Sequence, residues 1–348
     1  MHTEATLEKL KRGESLTRLE ARGVMQDLLS GSVPDEKIAA LLAALRDKGE
    51  TSEEITGFAE VMRERASAVL YEAGVRNLLE SGPLLDTCGT GGDCKGTFNV
   101  STATALVAAG AGARVAKHGN RSISSRSGSA DVLEALGVAI ELPLRHIPEC
   151  LQTTGMVFLY APHLHLAMKH VMKARKMLRT KTVFNLLGPL TNPLGASTQL
   201  AGVYERSQTE IMARSLAAVG TARAFVVSSH DGMDEISISA PTQLSELCPG
   251  SVKTRDVTPE EFGFARVPAD AVAGGSAAEN AEIVRRVLEG ERSPYRNMVL
   301  VNASAALLVA GLAPSFVVGV ELAARSIDSG AAKQTLAALR TFTQNHRL

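Results

Sequence analysis

Apolar residues in the first part of the chain recur with a helical period. Ile38, Leu41, Leu42 and Leu45 fall at i, i+3, i+4 and i+7 behind Ser32-Val33-Pro34-Asp35, and Gly49 closes the segment, which predicts a helix with one apolar stripe. Thr51 and Glu54 then pair as a capping box ahead of Ile55, Phe58, Ala59 and Met62 at the same spacing. From Leu84 the rhythm changes to short apolar runs: Leu84-Leu85-Asp86, Arg114 to Lys117, Met156 to Tyr160, Gln199 to Tyr204 and Ala224 to Ser228 read as strands. Helices are predicted between them near Ser101 to Ala109, Ser129 to Leu136 and Ser207 to Val219, and again at Glu279 to Leu288, Met298 to Ala310 and Ala331 to Phe342. Alternation of this kind predicts an α/β fold, a mostly parallel sheet flanked by helices, with a smaller all-helical N-terminal domain. The expected division is 1–75, joined by part of 165–185, and 76–348.

Composition narrows the function. The 348 residues suffice for a large core, and 45% hydrophobic with 21% charged positions is the balance of a globular chain. Lys plus Arg and Asp plus Glu both number 37, so the formal net charge is zero and any bound anion must be held by a local site. Trp is absent and aromatics are 4%, which leaves little for stacking bases. No apolar run approaches the ~18 residues of a membrane span, and the charged stretch Met1 to Arg12 does not read as a signal peptide. The expectation is a cytoplasmic protein without nucleic-acid or membrane partners. Cys88, Cys94, Cys150 and Cys248 form no C-x-x-C pair, which predicts free thiols.

Candidate chemistry sits in three loops that follow predicted strands, where ligands gather in open α/β sheets. The first is Asp86-Thr87-Cys88-Gly89-Thr90-Gly91-Gly92-Asp93, leading to Asn99-Val100-Ser101-Thr102. Its glycines let backbone N–H groups approach an anion, with phosphate the natural guest. It lacks the lysine of a Walker A loop, and Cys94 stands where G-x-G-x-x-G needs its third glycine. The second runs Lys117-His118-Gly119-Asn120-Arg121-Ser122-Ile123-Ser124-Ser125 and continues to Ser129; its cations, amide and hydroxyls suit a polyanion. The third, His230-Asp231-Gly232-Met233-Asp234-Glu235, offers the hard oxygen ligands that Mg²⁺ takes beside substrate phosphates. A ligand-free turn, a solvated loop and surface acids are the plain alternatives for each alone.

Together with Asn185-Leu186-Leu187-Gly188-Pro189-Leu190-Thr191-Asn192-Pro193, these motifs are in the order of a known family. The chain resembles the anthranilate phosphoribosyltransferases of tryptophan biosynthesis, which share their fold with pyrimidine nucleoside phosphorylases. The resemblance implies that phosphoribosyl pyrophosphate lies across Gly89, Gly92, Asp93, Thr97, Asn99, Val100, Ser101, Thr102, the loop from Lys117 to Ser125, and Ser129. It implies two Mg²⁺ ions, Ser101 ligating one and Asp234 with Glu235 holding a second, partly through water. Gly89, Asn120 and Arg175 match positions that contact anthranilate, and a homodimer through the N-terminal helices is implied as well.

This chain departs from the family around the expected acceptor channel. His165-Leu166-Ala167-Met168 stands where the family reads His-Pro-Ala-Met, and Met172-Lys173-Ala174-Arg175 where it reads Gly-Pro-Val-Arg. Leu178-Arg179-Thr180-Lys181-Thr182 replaces Leu-Gly-x-Arg-Thr, exchanging a fork-shaped guanidinium for a point-charge ammonium. An arylamine is neutral near pH 7, so no residue is assigned as general acid or base. Arg175 is the expected clamp for the anthranilate carboxylate, with membership of a solvated basic helix beside Lys169, Lys173 and Lys176 as the alternative. His163 and His165 alone do not make a zinc site, His118 is expected to line the acceptor site, and the terminal His2 and His346 have no assigned role. Two rival functions stay open: a related phosphoribosyltransferase or phosphorylase with another aromatic acceptor, and a non-catalytic relative that binds nucleic acid through the Lys169 to Lys181 stripe.

Overall fold

Four helices open the chain, α1 (Thr3–Lys11), α2 (Arg18–Leu28), α3 (Asp35–Lys48) and α4 (Ser52–Glu72). The computed structural model describes residues 3–72, 75, 82–122 and 126–347, so the junction expected at 75/76 adjoins residues outside the description, as do Ile123, Ser124 and Ser125. The predicted capping box forms: Glu54 accepts the Thr51 backbone N–H at 2.8 Å while Thr51 Oγ1 accepts the Glu54 N–H at 3.3 Å. Glu54 is fully buried and also takes the Leu16 N–H at 2.8 Å and the Lys48 ammonium at 2.9 Å, so one carboxylate ties three segments of the bundle.

The α/β part follows as β1 (Leu85–Asp86), α5 (Val100–Gly110), β2 (Val115–Gly119), α6 (Ser129–Ala135), α7 (Ile147–Thr154), β3 (Met156–Tyr160), α8 (Ala161–Leu164), α9 (Lys169–Leu178) and α10 (Val183–Leu190). Then come β4 (Thr198–Gly202), α11 (Gln208–Ala218), β5 (Arg223–Ser229), β6 (Thr242–Cys248), β7 (Ser251–Val257), α12 (Ala277–Leu288), α13 (Pro294–Val309), α14 (Phe316–Asp328) and α15 (Ala331–Asn345). The strands form one seven-stranded sheet in the order β3-β2-β1-β4-β5-β6-β7, parallel through β5 and antiparallel beyond it. All five expected strands are present, but the one read as Gln199 to Tyr204 ends at Gly202.

The hairpin β6–β7 and the helices α7, α8, α10 and α14 went unpredicted, and α9 stood only as the basic-helix alternative for Arg175. Strand β7 exposes most of its residues and carries Lys253, Arg255 and Asp256, so its conformation comes from pairing on β6 rather than from a local apolar run.

Successive residues of the inner strands serve opposite faces. Leu200, Phe225 and Val227 join a core with α5, α13 and α15, while Ala201, Val203, Ala224 and Val226 join a second with α1–α4, α9, α10 and α11. The N-terminal helices thus share one apolar cluster with a face of the sheet. Arg63 of α4 fixes this contact: it donates to the Leu190 carbonyl and to the Val219 carbonyl, each at 2.6 Å, closing the C-terminal ends of α10 and α11. Burial pulls its pKa down to about 10, with the Asp86 charge opposing. Among the described residues no helix is long and apolar enough to cross a membrane. Arg63→Leu leaves both carbonyls without this donor, and urea unfolding should show a loss of at least ~2 kcal/mol.

Candidate active site

Because β1, β2, β4 and β5 are parallel, their C-terminal ends deliver the three candidate loops to one edge of the sheet. Contact between the loops is direct. The Thr90 N–H donates to the Gly202 carbonyl at 2.8 Å, and the Gly91 N–H donates to Asp234 Oδ2 at 2.9 Å. Gly202 is required by proximity rather than by backbone conformation, since a Cβ there would lie 1.5 Å from the Asp234 carbonyl oxygen. Gly89 is similarly hemmed in, with Asp234 Oδ2 and the Gly202 carbonyl each 3.2 Å from a Cβ position. Gly91 and Gly92 adopt φ of 61° and 81°, the left-handed turn predicted for an anion-binding loop.

Asp93, Asp234 and Glu235 meet behind this turn. Asp234 and Glu235 keep some access to the cleft, yet surrounding protein desolvates them and raises both pKa values, that of Asp234 to about 7. Mutual repulsion adds to the shift: Asp93 is the next cause for Asp234, and Asp234 the next for Glu235. Asp93 Oδ2 is buried without a hydrogen-bond partner among the described groups. Hard, crowded carboxylate oxygens with one left unpaired are a donor set that fits a divalent cation. Asp93, assigned at first only to the sugar diphosphate, therefore belongs with Asp234, Glu235 and Ser101 as a candidate metal ligand.

Lys117 balances this charge from beneath. It is 1% exposed and donates to the Thr87 carbonyl at 3.1 Å, Thr87 Oγ1 at 3.3 Å and Ser101 Oγ at 3.2 Å. Its charge opposes the rise in pKa of both Asp86 and Glu235. Asp86, fully buried and pushed up to about 6 by desolvation, accepts the His118 N–H at 3.1 Å and Asn192 Nδ2 at 2.8 Å. Asn192 also donates to the Ala116 carbonyl at 2.8 Å, so the Asn185 to Pro193 motif braces β1 against β2.

The remaining candidates divide. Asn99 bridges the Ser127 carbonyl and Asn280, Thr97 pairs in an isolated bridge with Ala273, and Val100, Ser101 and Thr102 form the first turn of α5. Gly119 lets the Phe158 ring approach to 2.7 Å of a Cβ position and stands close to Ser129 at the start of α6. Asn120 is exposed, its Oδ1 accepting the Arg121 N–H at 2.7 Å, and the Ser122 N–H donates to Asp131 Oδ2 at 3.1 Å. Arg121, expected to add a charge-assisted contact to substrate, pairs with Asp131 and Glu134 in this structure. Arg175 is different from its lysine neighbours: it turns inward over the Phe184 ring, 5.4 Å from the centroid, and touches Met172 Sδ at 4.0 Å. Desolvation lowers its pKa, and no described carboxylate pairs with it. Lys173, by contrast, is exposed and pairs with Asp35 at 2.7 Å.

The geometry has relatives. A glycosyltransferase family model for the α/β domain matches residues 81–333, and the helical-bundle model of the same family matches residues 4–66. The chain is 49% identical to the anthranilate phosphoribosyltransferase of Symbiobacterium thermophilum over 99% of its own length and 98% of the relative's. The chain belongs to the anthranilate phosphoribosyltransferase family. Among solved structures, the Thermus thermophilus anthranilate phosphoribosyltransferase superposes with a TM-score of 0.88 at 42% identity, covering 97% of this chain and 99% of that one. The Saccharomyces cerevisiae enzyme in complex with phosphoribosyl pyrophosphate and Mg gives 0.85 at 28% identity, covering 99% and 100%.

Within this family the departures acquire a structural meaning. Arg179, in the glycine's place, ends α9 at φ 50°, one of two non-glycine residues with positive φ among those described. Lys181 stands with its ammonium 3.6 Å from the centroid of the Tyr204 ring and its Cε 3.4 Å from a Cβ position on Gly92. The substituted cation therefore lies against the glycine loop itself. Leu166, in the proline's place, is 58% exposed.

His118 and His165 form a buried pair with ring centroids 5.2 Å apart. His118 directs Nδ1 to the Gly188 carbonyl at 3.1 Å, and Nε2 of both rings lacks a partner among the described groups. Burial drives their pKa values down to about 3 and about 4, with His165 adding to the shift at His118. Neutral imidazoles of this kind shape a wall rather than shuttle protons at pH 7.

Two measurements follow from these positions. Arg179→Gly should raise stability by about 1 kcal/mol in urea unfolding by removing a strained left-handed side chain. Because the folded pKa of His165 lies below its unfolded value of ~6.5, the unfolded chain binds the proton first and stability falls as pH drops from there toward about 4. In His165→Gln the acid-side slope of unfolding free energy should be shallower by up to ~1.4 kcal/mol per pH unit.

Proposed function

We propose that the protein transfers the phosphoribosyl group of 5-phosphoribosyl 1-pyrophosphate to the amine of anthranilate, releasing pyrophosphate, in tryptophan biosynthesis. Two observations carry this reading for the present chain: a carboxylate cluster at a glycine loop and a desolvated Arg175 without a described counter-ion. The first fits a cation-bound diphosphate, the second an aromatic carboxylate. Family membership at 49% identity over nearly the whole chain supports the same reaction.

In this reading the neutral amine attacks C1 of the ribose, the C1–N bond forms as the C1–O bond to pyrophosphate breaks, and the nitrogen then loses its proton to solvent or the departing diphosphate. Positioning does most of the work. The Gly89 to Asp93 turn and the first turn of α5 present backbone donors, where losing one preorganised donor costs about 2.7–4 kcal/mol. Lys117 holds Thr87 and Ser101 in place from below, and Arg175 with Asn120 orients the acceptor. Asp93, Asp234, Glu235 and Ser101 would hold Mg²⁺, which when bound would neutralise charge on the diphosphate. The proposal includes two such ions, a cytoplasmic location and a homodimer; the exposed Leu19, Leu166 and Met177 on the helical side suit burial in such a dimer.

Loss of anthranilate fluorescence in the presence of phosphoribosyl pyrophosphate and Mg²⁺ is the direct assay. Arg175→Ala should raise KM for anthranilate by at least ~10-fold with little change in KM for phosphoribosyl pyrophosphate, as loss of a charge-assisted clamp requires. Equal effects on both substrates would remove Arg175 from the acceptor site, and turnover of another aminobenzoate in preference to anthranilate would change the acceptor.

A further inference from the structure

Apart from the three loops, the start of α7 and the end of α15 bring together His146, Glu149 and His346, with one ligand-capable atom of each within 4.8 Å of the others. We propose that these residues form a transition-metal site of the zinc class that fastens the end of the C-terminal helix to α7. His146 and Glu149 are three positions apart at the start of α7, so their side chains share one face. His146 Nδ1 stands 3.5 Å from Glu149 Oε2. That is close to the ~3.3 Å edge of a tetrahedron whose metal–ligand bonds are about 2.0–2.1 Å.

His346 is aimed by two contacts. Its ring stacks on Phe342 at a centroid distance of 4.4 Å, and its Nδ1 lies 2.9 Å from the Phe342 carbonyl. A carbonyl can only accept, so Nδ1 carries the proton and Nε2 keeps its lone pair, the tautomer a metal-binding imidazole needs. The ring stands 4.5 Å from that of His146. The helix end is itself secured: Thr343 Oγ1 accepts the Ala139 N–H at 3.1 Å, and Gln344 Nε2 donates to the Gly137 carbonyl at 2.8 Å. The segment that carries His346 is thus anchored before any ion arrives, which lowers the ordering cost of binding.

Two imidazoles and one carboxylate select differently from the active-site acids. Nitrogen ligands suit Zn²⁺, Co²⁺ and Ni²⁺, whereas Mg²⁺ prefers the all-oxygen set of Asp93, Asp234 and Glu235. Three protein ligands leave a fourth position for water, and Glu149, with its side chain 60% exposed, leaves the site open to entry from solvent.

The test uses the full-length chain without any affinity tag, stripped with chelator and then saturated with Mg²⁺. Titration with Zn²⁺ by calorimetry, and with Co²⁺ by visible absorption, should give one ion per chain and a rise in melting temperature. His346→Gln and, separately, the exposed Glu149→Gln should each weaken Zn²⁺ by at least ~10-fold, while Asp234→Asn leaves it unchanged. Melting of each variant in chelator, matched to the parent, establishes that the fold is intact. Absence of a stoichiometric binding step, or binding that survives both substitutions, overturns the proposal; loss in Asp234→Asn alone assigns the ion to the active-site acids and overturns it equally.

Discussion

Three carboxylates, Asp93, Asp234 and Glu235, share one desolvated volume, and the neighbouring structure is arranged around that concentration of negative charge. Like charges brought together away from water either take up protons or gather cations. Here the glycine turn approaches because Gly202 has no side chain to keep Asp234 away, and the Gly91 N–H is spent on Asp234 Oδ2. Lys117 answers from the opposite side without leaving the core, its ammonium held by Thr87 and Ser101. A buried lysine in this position serves the cluster as fixed background charge.

The helical N-terminal segment is more than an appendage to this arrangement. Its apolar residues are continuous with one face of β4 and β5, the strands whose ends lead to Gly202 and to the loop of Asp234 and Glu235. Arg63 reaches from α4 to the ends of α10 and α11, and α10 in turn precedes Asn192, which holds Asp86 and the β2 backbone. Helices and sheet are thereby coupled through buried and partly buried hydrogen bonds, where a lost partner is costly.

The altered motifs have visible structural consequences. A glycine exchanged for Arg179 leaves the backbone in the left-handed region, so the turn geometry is retained at the expense of strain. Lys181 keeps a positive charge near the glycine loop but holds it over the Tyr204 ring as a single ammonium, without the paired donors of a guanidinium. Arg175, one turn before Arg179, faces inward and remains without a described acidic partner.

Local pattern determined a good deal. Short apolar runs located five strands and period-3.6 stripes most of the long helices, and the glycine, basic and acidic loops were legible because each follows a strand and carries residue types too polar for a core. What the linear order could not decide was which loops touch. Asp93 and Asp234 lie 141 positions apart in number, yet they repel each other directly because β1 and β4 are neighbours and β5 pairs beyond them. Strand β7, too polar to be read as a strand, exists because β6 offers it an edge. The ion pairs of Arg121 with Asp131 and Glu134 were not legible in the linear order, and His346 looked like a terminal residue until α15 laid it beside His146. Sequence by itself specifies side-chain chemistry and short-range periodicity. Charge compensation, desolvation and shared ligation depend on distances that only chain crossings create, and those belong to the tertiary structure.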